Sequence, residues 1–550
     1  MFKLFFILFF IYLSLVGYSL FFKYSLLKNS NFTFYNLDIF YGLGLLSLVA
    51  IMTNFFFPLI YLGFFFFISG LVFLFIFKRN IFFKNNLLTF SILLFFFVFI
   101  SYKSPYNLAA DTPFYHLQTI KWLSDFKISF GLANLEPRYG LNSIWHIIIS
   151  IFNIKIIGVN PIYYLNLIIY AVAFNEIFNQ ENKKKQSLSF IYLFVTLSFI
   201  LIYTFVHPAY NGTIFYNLGS PEVDIVSMFF FILSGYLFLK IFEDKSYDCL
   251  ETLIILVIFC YLTKLSYAAS LLFLIFIIFF LQGLRNFLKL KLVIFAILVN
   301  FFWIIRNLIM SGCAIFPLNF TCINFTWTYD KKELEIFSNI IKSFSRDTPL
   351  RQKYFDFNHT IETFNWLGPW FETYFLQTAI LVICSIISLF SSFFLIFYFI
   401  FKKNFYFLKK EFFLFLIVCV FSFFLWLQAP EIRFGYGYII SITTLLVSGV
   451  IYVLIYNLNF IKEFFLNFLF FIFFCAVFYK NFNNYKIISL DINHKFDYEN
   501  FSLVSKDNNF NFYRPPSGKT CGFFTEICVY QDGNYQASIN YNYLTFIKNK

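Results

Sequence analysis

Charge is what this sequence has least of. Only 13% of its 550 residues are Asp, Glu, Lys or Arg, against about 25% in an ordinary soluble protein. Hydrophobic residues make up 60%, and Phe alone supplies 94 positions. A water-soluble core could not hide that much apolar side chain, so a string of soluble domains is excluded. The same composition excludes a disordered chain. With 20 Gly and nine Cys in 550 residues, collagen and a small disulfide scaffold are excluded too.

Further absences narrow the chemistry. No His or Cys spacing resembles a zinc site. Gly518-Lys519-Thr520 lacks the first glycine of a P-loop. No internal repeat marks duplicated transporter halves. Met1–Phe22 carries no small-x-small cleavage site, so it reads as a first helix rather than a cleaved signal.

What is present is a succession of apolar runs, each about 20 residues, the length that crosses a bilayer as a helix. They fall near 2–22, 38–54, 57–77, 86–102, 161–178, 187–206, 222–242, 250–264, 266–282, 290–309, 373–401, 411–428, 435–457 and 463–479. The expected fold is an all-α polytopic membrane protein: a helical bundle of about 14 spans over 1–479 and an extracytoplasmic tail over 480–550. The piece Leu141–Ile157 is short for a span and is left open between spanning and re-entering.

The net charge of +13 suggests nucleic acid only until its distribution is considered. Basic residues cluster between apolar runs, at Lys78/Arg79/Lys84, Lys183–Lys185, Arg285/Lys289/Lys291 and Lys402/Lys403/Lys409/Lys410. That is the cytoplasmic signature of the positive-inside bias, so no nucleic-acid partner is expected. The loops 103–140, 207–221, 310–372 and 429–434 and the tail then fall on the opposite face. Lys3 alone argues against this orientation. Two local cysteine pairs, Cys313 with Cys322 and Cys521 with Cys528, lie on that external side, where disulfides persist. Four free thiols remain the alternative, because proximity in sequence does not establish geometry. The tail is rich in Asn, Tyr, Lys and Asp and reads as turns and short strands forming a small cap.

Residues 106–146, YNLAADTPFYHLQTIKWLSDFKISFGLANLEPRYGLNSIWH, are the densest polar stretch. Asp111 precedes a helix over 112–126 with an apolar face, expected to lie flat on the external membrane surface. Asp111 either caps that helix or serves as an external general base or metal ligand. Beyond it stand His116, Arg138 and the local partner of Arg138, Glu136. Trp122 and Trp145 read as interfacial aromatics. A second acidic set, Glu222 and Asp224, opens a span, where acids also suit the helix dipole. Three cations, Lys264, Arg306 and Arg433, sit at external helix ends, where each could instead reach out to lipid headgroups. Together these residues predict that distant segments deliver charge to one external pocket.

The runs DTPFYHLQTIKWL…GLANLEPRYGLNSIW, SPEVD, LTKLS and RNLIMSGCAIFP and the C-terminal cysteine pair resemble a family of uncharacterised bacterial polytopic membrane proteins, the LIC type, over about residues 100–530. That architecture is in turn similar to GT-C glycosyltransferases, which draw a sugar from a polyprenyl-phosphate carrier. The resemblance implies a GT-C-like bundle in the bacterial cytoplasmic membrane. It also implies a lipid-linked sugar donor and an envelope glycan, lipid or protein acceptor. Asp111 matches the catalytic acid by position and context. His116, Arg138, Glu222, Asp224, Lys264, Arg306 and Arg433 are the expected substrate contacts. No metal-ligand set is recognised, and dependence on a divalent cation is left open. Four spans precede Asp111, and Thr112 stands where the GT-C pattern often has a second acid. A transporter or flippase would need polar groups near the bilayer midplane, and an envelope scaffold would not need converging charges. Both remain alternatives.

Overall fold

Long apolar runs without interior proline become helix almost everywhere. The structure, a computed structural model, describes residues 1–26, 33–77, 82–83, 87–103, 111–153, 160–179, 187–206, 219–244, 249–283, 287, 291–346, 363–372, 380–402, 410–458, 501–507, 510–517, 520–522, 524–531, 533–540 and 542–549. Its main helices are α1 Phe2–Phe21, α2 Ile39–Asn54, α3 Gly63–Phe77, α4 Leu87–Lys103, α5 Leu117–Asp125, α6 Ile144–Ile151, α7 Asn166–Phe178, α8 Leu188–Val206, α9 Val223–Asp244, α10 Leu250–Thr263, α11 Leu271–Ile277, α12 Lys291–Ser311, α13 Lys331–Arg346, α14 Ile380–Lys402, α15 Lys410–Trp426 and α16 Ile432–Leu458.

Among the described residues, seven helical stretches are long and apolar enough to cross a membrane. They are Phe2–Ser25, Asn36–Asn54, Leu59–Phe77, Val223–Asp244, Lys291–Ser311, Ile380–Tyr398 and Ile432–Leu454. This marks the chain as a helical membrane protein. Other expected spans are shorter helices, for local reasons. The run at 161–178 starts as a 3-10 turn at Pro161 and becomes α-helical only at Asn166. Its 13 residues rise about 20 Å. The run at 266–282 divides into 3-10, α and π segments. Leu141–Ile157 holds, in its described part, only the eight-residue buried helix α6. The expected span 463–479, Cys475 and most of the lysine-bearing loops lie outside the described residues.

The hub is α9. It is apolar on every side and packs against α7, α8, α10, α15 and α16, as a helix in the middle of a bundle must. Helices α3, α12 and α14 lie outside it and expose Phe65, Phe75, Ile294, Phe301, Phe390 and Phe393. Such faces suit hydrocarbon rather than water.

At one end of the bundle the C-termini of α2, α10 and α12 meet the N-termini of α9 and α16. The segment 111–146 lies there, with the C-terminal strands on top of it. Ser502–Asp507 pairs antiparallel with Phe510–Arg514, which is flanked by Ile527–Cys528, and Asn534–Asn540 forms a hairpin with Tyr543–Asn549. Phe130 adds to the hairpin edge: its N–H donates to Leu544 O at 2.8 Å, and its carbonyl accepts from Phe546 N–H at 2.9 Å. Gly131 makes this approach possible, with φ of 65° and no Cβ to strike the Phe546 carbonyl. Cys313–Cys322 and Cys521–Cys528 are both disulfides.

This covering corrects two expectations. Helix α5 forms, but it does not lie open on a surface. Its polar residues Gln118, Thr119 and Ser124 are buried with its apolar ones, and Gln118 donates to the Cys521 and Phe524 carbonyls. Trp122 and Trp145 are likewise interior: Trp122 packs on Phe126 and Phe546, and Trp145 donates to Asn166 Oδ1 at 2.7 Å.

Arg306 pins this end together. The residue is 1% exposed; its guanidinium donates to Asn142 Oδ1 at 2.9 Å and to Asn54 Oδ1 at 2.7 Å, joining α12 to α2 and to the start of α6. A buried cation held by neutral amides depends on each of them. Asn142→Ala is expected to cost about 1–3 kcal/mol, read as a lower melting temperature of the detergent-solubilised protein. An unchanged melting temperature would contradict the pin.

Candidate functional site

Asp111 opens the segment leading into α5 but does not cap it, since its side chain makes no cap hydrogen bond. Its carboxylate instead accepts from an Arg433 Nη at 3.0 Å, across 322 residues of sequence. Arg433 is the second residue of α16, and Pro430 and Glu431 shape the turn before it. Its Nε also donates to Glu431 Oε1 at 3.3 Å, so one guanidinium serves two carboxylates.

The second ion pair joins Lys264 and Asp224. Helix α10 ends at Thr263, and Lys264 itself is extended, with φ of −152° and ψ of 120°. This turns its side chain toward the first turn of α9, where Asp224 lies. The ammonium also lies 3.7 Å from the centre of the Phe434 ring, next to Arg433 in sequence. Tyr267, three residues on from Lys264, donates its backbone amide to the Lys264 carbonyl. Its hydroxyl accepts from Gly437 N–H at 3.0 Å, so α16 is held against this corner.

A polar scaffold brings Glu222 to the same place. Asn166 donates to the Ser220 and Glu222 carbonyls at 2.9 Å each, and Thr112 and Ser220 share a hydrogen bond of 2.5 Å. Glu222 stands one residue ahead of α9 and is 1% exposed. Neither of its carboxylate oxygens has a hydrogen-bond partner among the described residues. The most open member of the cluster is Asp111, its side chain 31% exposed, against 13% for Arg433 and 17% for Lys264.

The electrostatics follow from burial and pairing. Burial would raise the Asp111 carboxyl, but the Arg433 guanidinium and other positive neighbours outweigh it and hold it below the usual Asp value. Glu222 has no such contact. Burial pushes it up to about 8; Arg433 opposes, while Asp224 and Asp111 add to the rise. Arg138 is paired with Glu136 at 2.6 Å and stacked 4.7 Å over the Phe114 ring. It acts on Asp111 through its field rather than by contact. Arg306, expected among the substrate contacts, is not in the cluster, because Asn54 and Asn142 occupy its guanidinium.

The sequence singles out His116 as an expected substrate contact and gives His146 no role. The structure joins them, His116 Nδ1 to His146 Nε2 at 2.8 Å, both buried. One clue was visible: both belong to the 106–146 stretch, His116 just ahead of α5 and His146 in α6. Among the described residues no group of three or more His, Cys, Asp and Glu side chains is arranged to hold a metal ion.

The fold and this cluster define a class: a helical membrane protein with ion-paired acids and cations gathered at the helix ends of one face. The chain belongs to the family of the domain of unknown function DUF8201, whose model matches residues 1–440. That match contains Asp111, Glu222, Asp224, Lys264 and Arg433 and stops before the C-terminal strands. No curated protein matches the chain, and no solved structure does.

Burial holds the histidine pair neutral. His116 is pulled down to about 3, and His146 well below its usual value, by loss of solvent. Both therefore bind protons more readily when unfolded, so their contribution to stability is complete above about pH 6.5 and is lost as pH falls toward the folded values. The expected cost on acidification is about 1.4 kcal/mol per pH unit for each histidine. Melting temperatures between pH 7 and 4.5 should fall steeply for the wild type and less steeply for His116→Gln/His146→Gln. Parallel curves would refute this.

Proposed function

We propose that this cluster is the catalytic centre of a membrane glycosyltransferase with a GT-C-like bundle. It would move a sugar from a polyprenyl-phosphate carrier to an envelope glycan, lipid or protein acceptor, at the external face of the bacterial cytoplasmic membrane. The single observation that carries the reading is the contact between Asp111 and Arg433. It sets a carboxylate and a phosphate-binding type of cation side by side, at helix ends where a lipid headgroup would lie.

The chemistry follows from those two groups. The lipid phosphate takes Arg433 over from Asp111, and Lys264 adds a second positive charge close by. Released from its ion pair, the Asp111 carboxylate accepts the proton of the acceptor hydroxyl. The hydroxyl oxygen attacks the anomeric carbon, the carbon–oxygen bond to phosphate breaks, and the polyprenyl phosphate leaves with the bonding electrons. Fixed cations beside the leaving phosphate lower such a barrier by typically about 3 kcal/mol. A positioned base adds roughly 10²–10⁴-fold. Arg138, held over Phe114 and partly exposed, is suited to contact the acceptor.

Sugar transfer from polyprenyl-phosphate donors, assayed in membranes and normalised to the amount of folded protein, is expected to fall by about 10²–10⁴-fold in Asp111→Asn. Undiminished transfer by that variant would remove Asp111 as the base and the reading with it.

A further inference from the structure

Four carboxylates, those of Asp111, Glu222, Asp224 and Glu431, surround two cations, Lys264 and Arg433. Three of the four are ion-paired, and Arg433 is shared between two of them. Glu222 alone has both oxygens buried and unpartnered among the described residues. An ionised carboxylate in that position would leave the pocket with two excess negative charges, an arrangement that repels an anionic ligand and that burial itself opposes. A protonated carboxyl removes one charge and supplies an O–H donor in a place where every other acid can only accept.

We infer that Glu222 is a protonated carboxyl in the resting protein and that it donates a hydrogen bond to a phosphate group bound beside Arg433. This deepens the reading above and rests on it. The ligand chemistry is a phosphate oxygen, from a lipid phosphate or from free phosphate. Glu222 then does for the phosphate what a third cation would do without adding to the buried charge. Loss of its proton restores the repulsion and removes the donor, so phosphate binding and proton binding at Glu222 support one another.

The charged groups that act most strongly on Glu222 come from several elements. Asp224 is on its own helix; Asp111 and Tyr115 come from the segment entering α5, Lys264 from the end of α10 and Arg433 from α16. Asp111 is held low and Tyr115 well above its usual value, so neither titrates just above neutrality. The upward push on Glu222 to about 8 agrees with the geometry. Lys264 is the other group that could lose a proton on the alkaline side, because burial lowers it while Asp224 opposes.

The test measures binding of polyprenyl phosphate, and separately of inorganic phosphate, to the purified full-length protein between pH 7.5 and 9.5. Wild-type affinity is expected to fall by up to about tenfold per pH unit above Glu222's own pKa, and in Glu222→Gln, which keeps a neutral donor, it should stay flat. Whichever probe shows this slope identifies the source of the phosphate. Calorimetry of the wild type at pH 9 in two buffers of different ionisation heat should show uptake of close to one proton, a readout independent of how the variant folds. If Glu222→Gln keeps the wild-type slope, Lys264 or the ligand is titrating; if calorimetry shows no proton uptake, no group couples. Either result overturns the role of Glu222 and leaves glycosyl transfer standing. Failure of both probes to bind at pH 7.5 overturns the two readings together.

Discussion

The contact between Asp111 and Arg433 is the interaction on which the site depends. It closes a loop of 322 residues, and it can do so only because the intervening chain is a packed bundle that returns its helix ends to one place. Arg433 keeps Glu431 as a second partner, whereas Asp111 has Arg433 as its ion-pair partner, and a carboxylate partly sheltered from water is disfavoured without an opposite charge. The ion pair therefore fixes where the start of the α5 segment meets the start of α16.

Apolar packing sets the stage for that pair. Helix α9 is buried on all sides, so the acids at its N-terminal end sit at the centre of the helix ends rather than at their edge. The Thr112–Ser220 bond and the two hydrogen bonds from Asn166 fix the loop ahead of α9. Arg306 holds α2, α12 and the start of α6 from the other side. The C-terminal strands complete the enclosure. The Gly522 amide donates to the Pro113 carbonyl at 2.9 Å and the Tyr530 hydroxyl to the Phe114 carbonyl at 2.8 Å, so the loop closed by Cys521–Cys528 presses directly on the residues that follow Asp111.

How much of this could be read from the sequence differs by physical origin. Helical class followed from apolar run length, which is a local property. The lengths of individual helices did not, because an apolar run does not show where α-helix gives way to 3-10 or π turns, as over 266–282. Asp111, Glu222, Asp224, Lys264 and Arg433 were legible because a charge at the edge of a span is rare enough to notice. Arg306 passed the same filter and belongs elsewhere, since the filter detects rarity and not direction. The histidine pair was missed because the two rings lie 30 residues apart, with no metal-like spacing to link them. The burial of α5 was missed because its cover comes from chain about 400 residues downstream, where Gln118 donates to the Cys521 and Phe524 carbonyls.

The most direct test of the central contact is a double-mutant cycle on stability with Asp111→Asn, Arg433→Gln and the double variant, each melted in the same detergent. If the two side chains meet as described, the cycle should return a coupling of about 0.5–3 kcal/mol. Effects that simply add, to within about 0.3 kcal/mol, would mean that these charges do not touch and that the pocket is not assembled in this way.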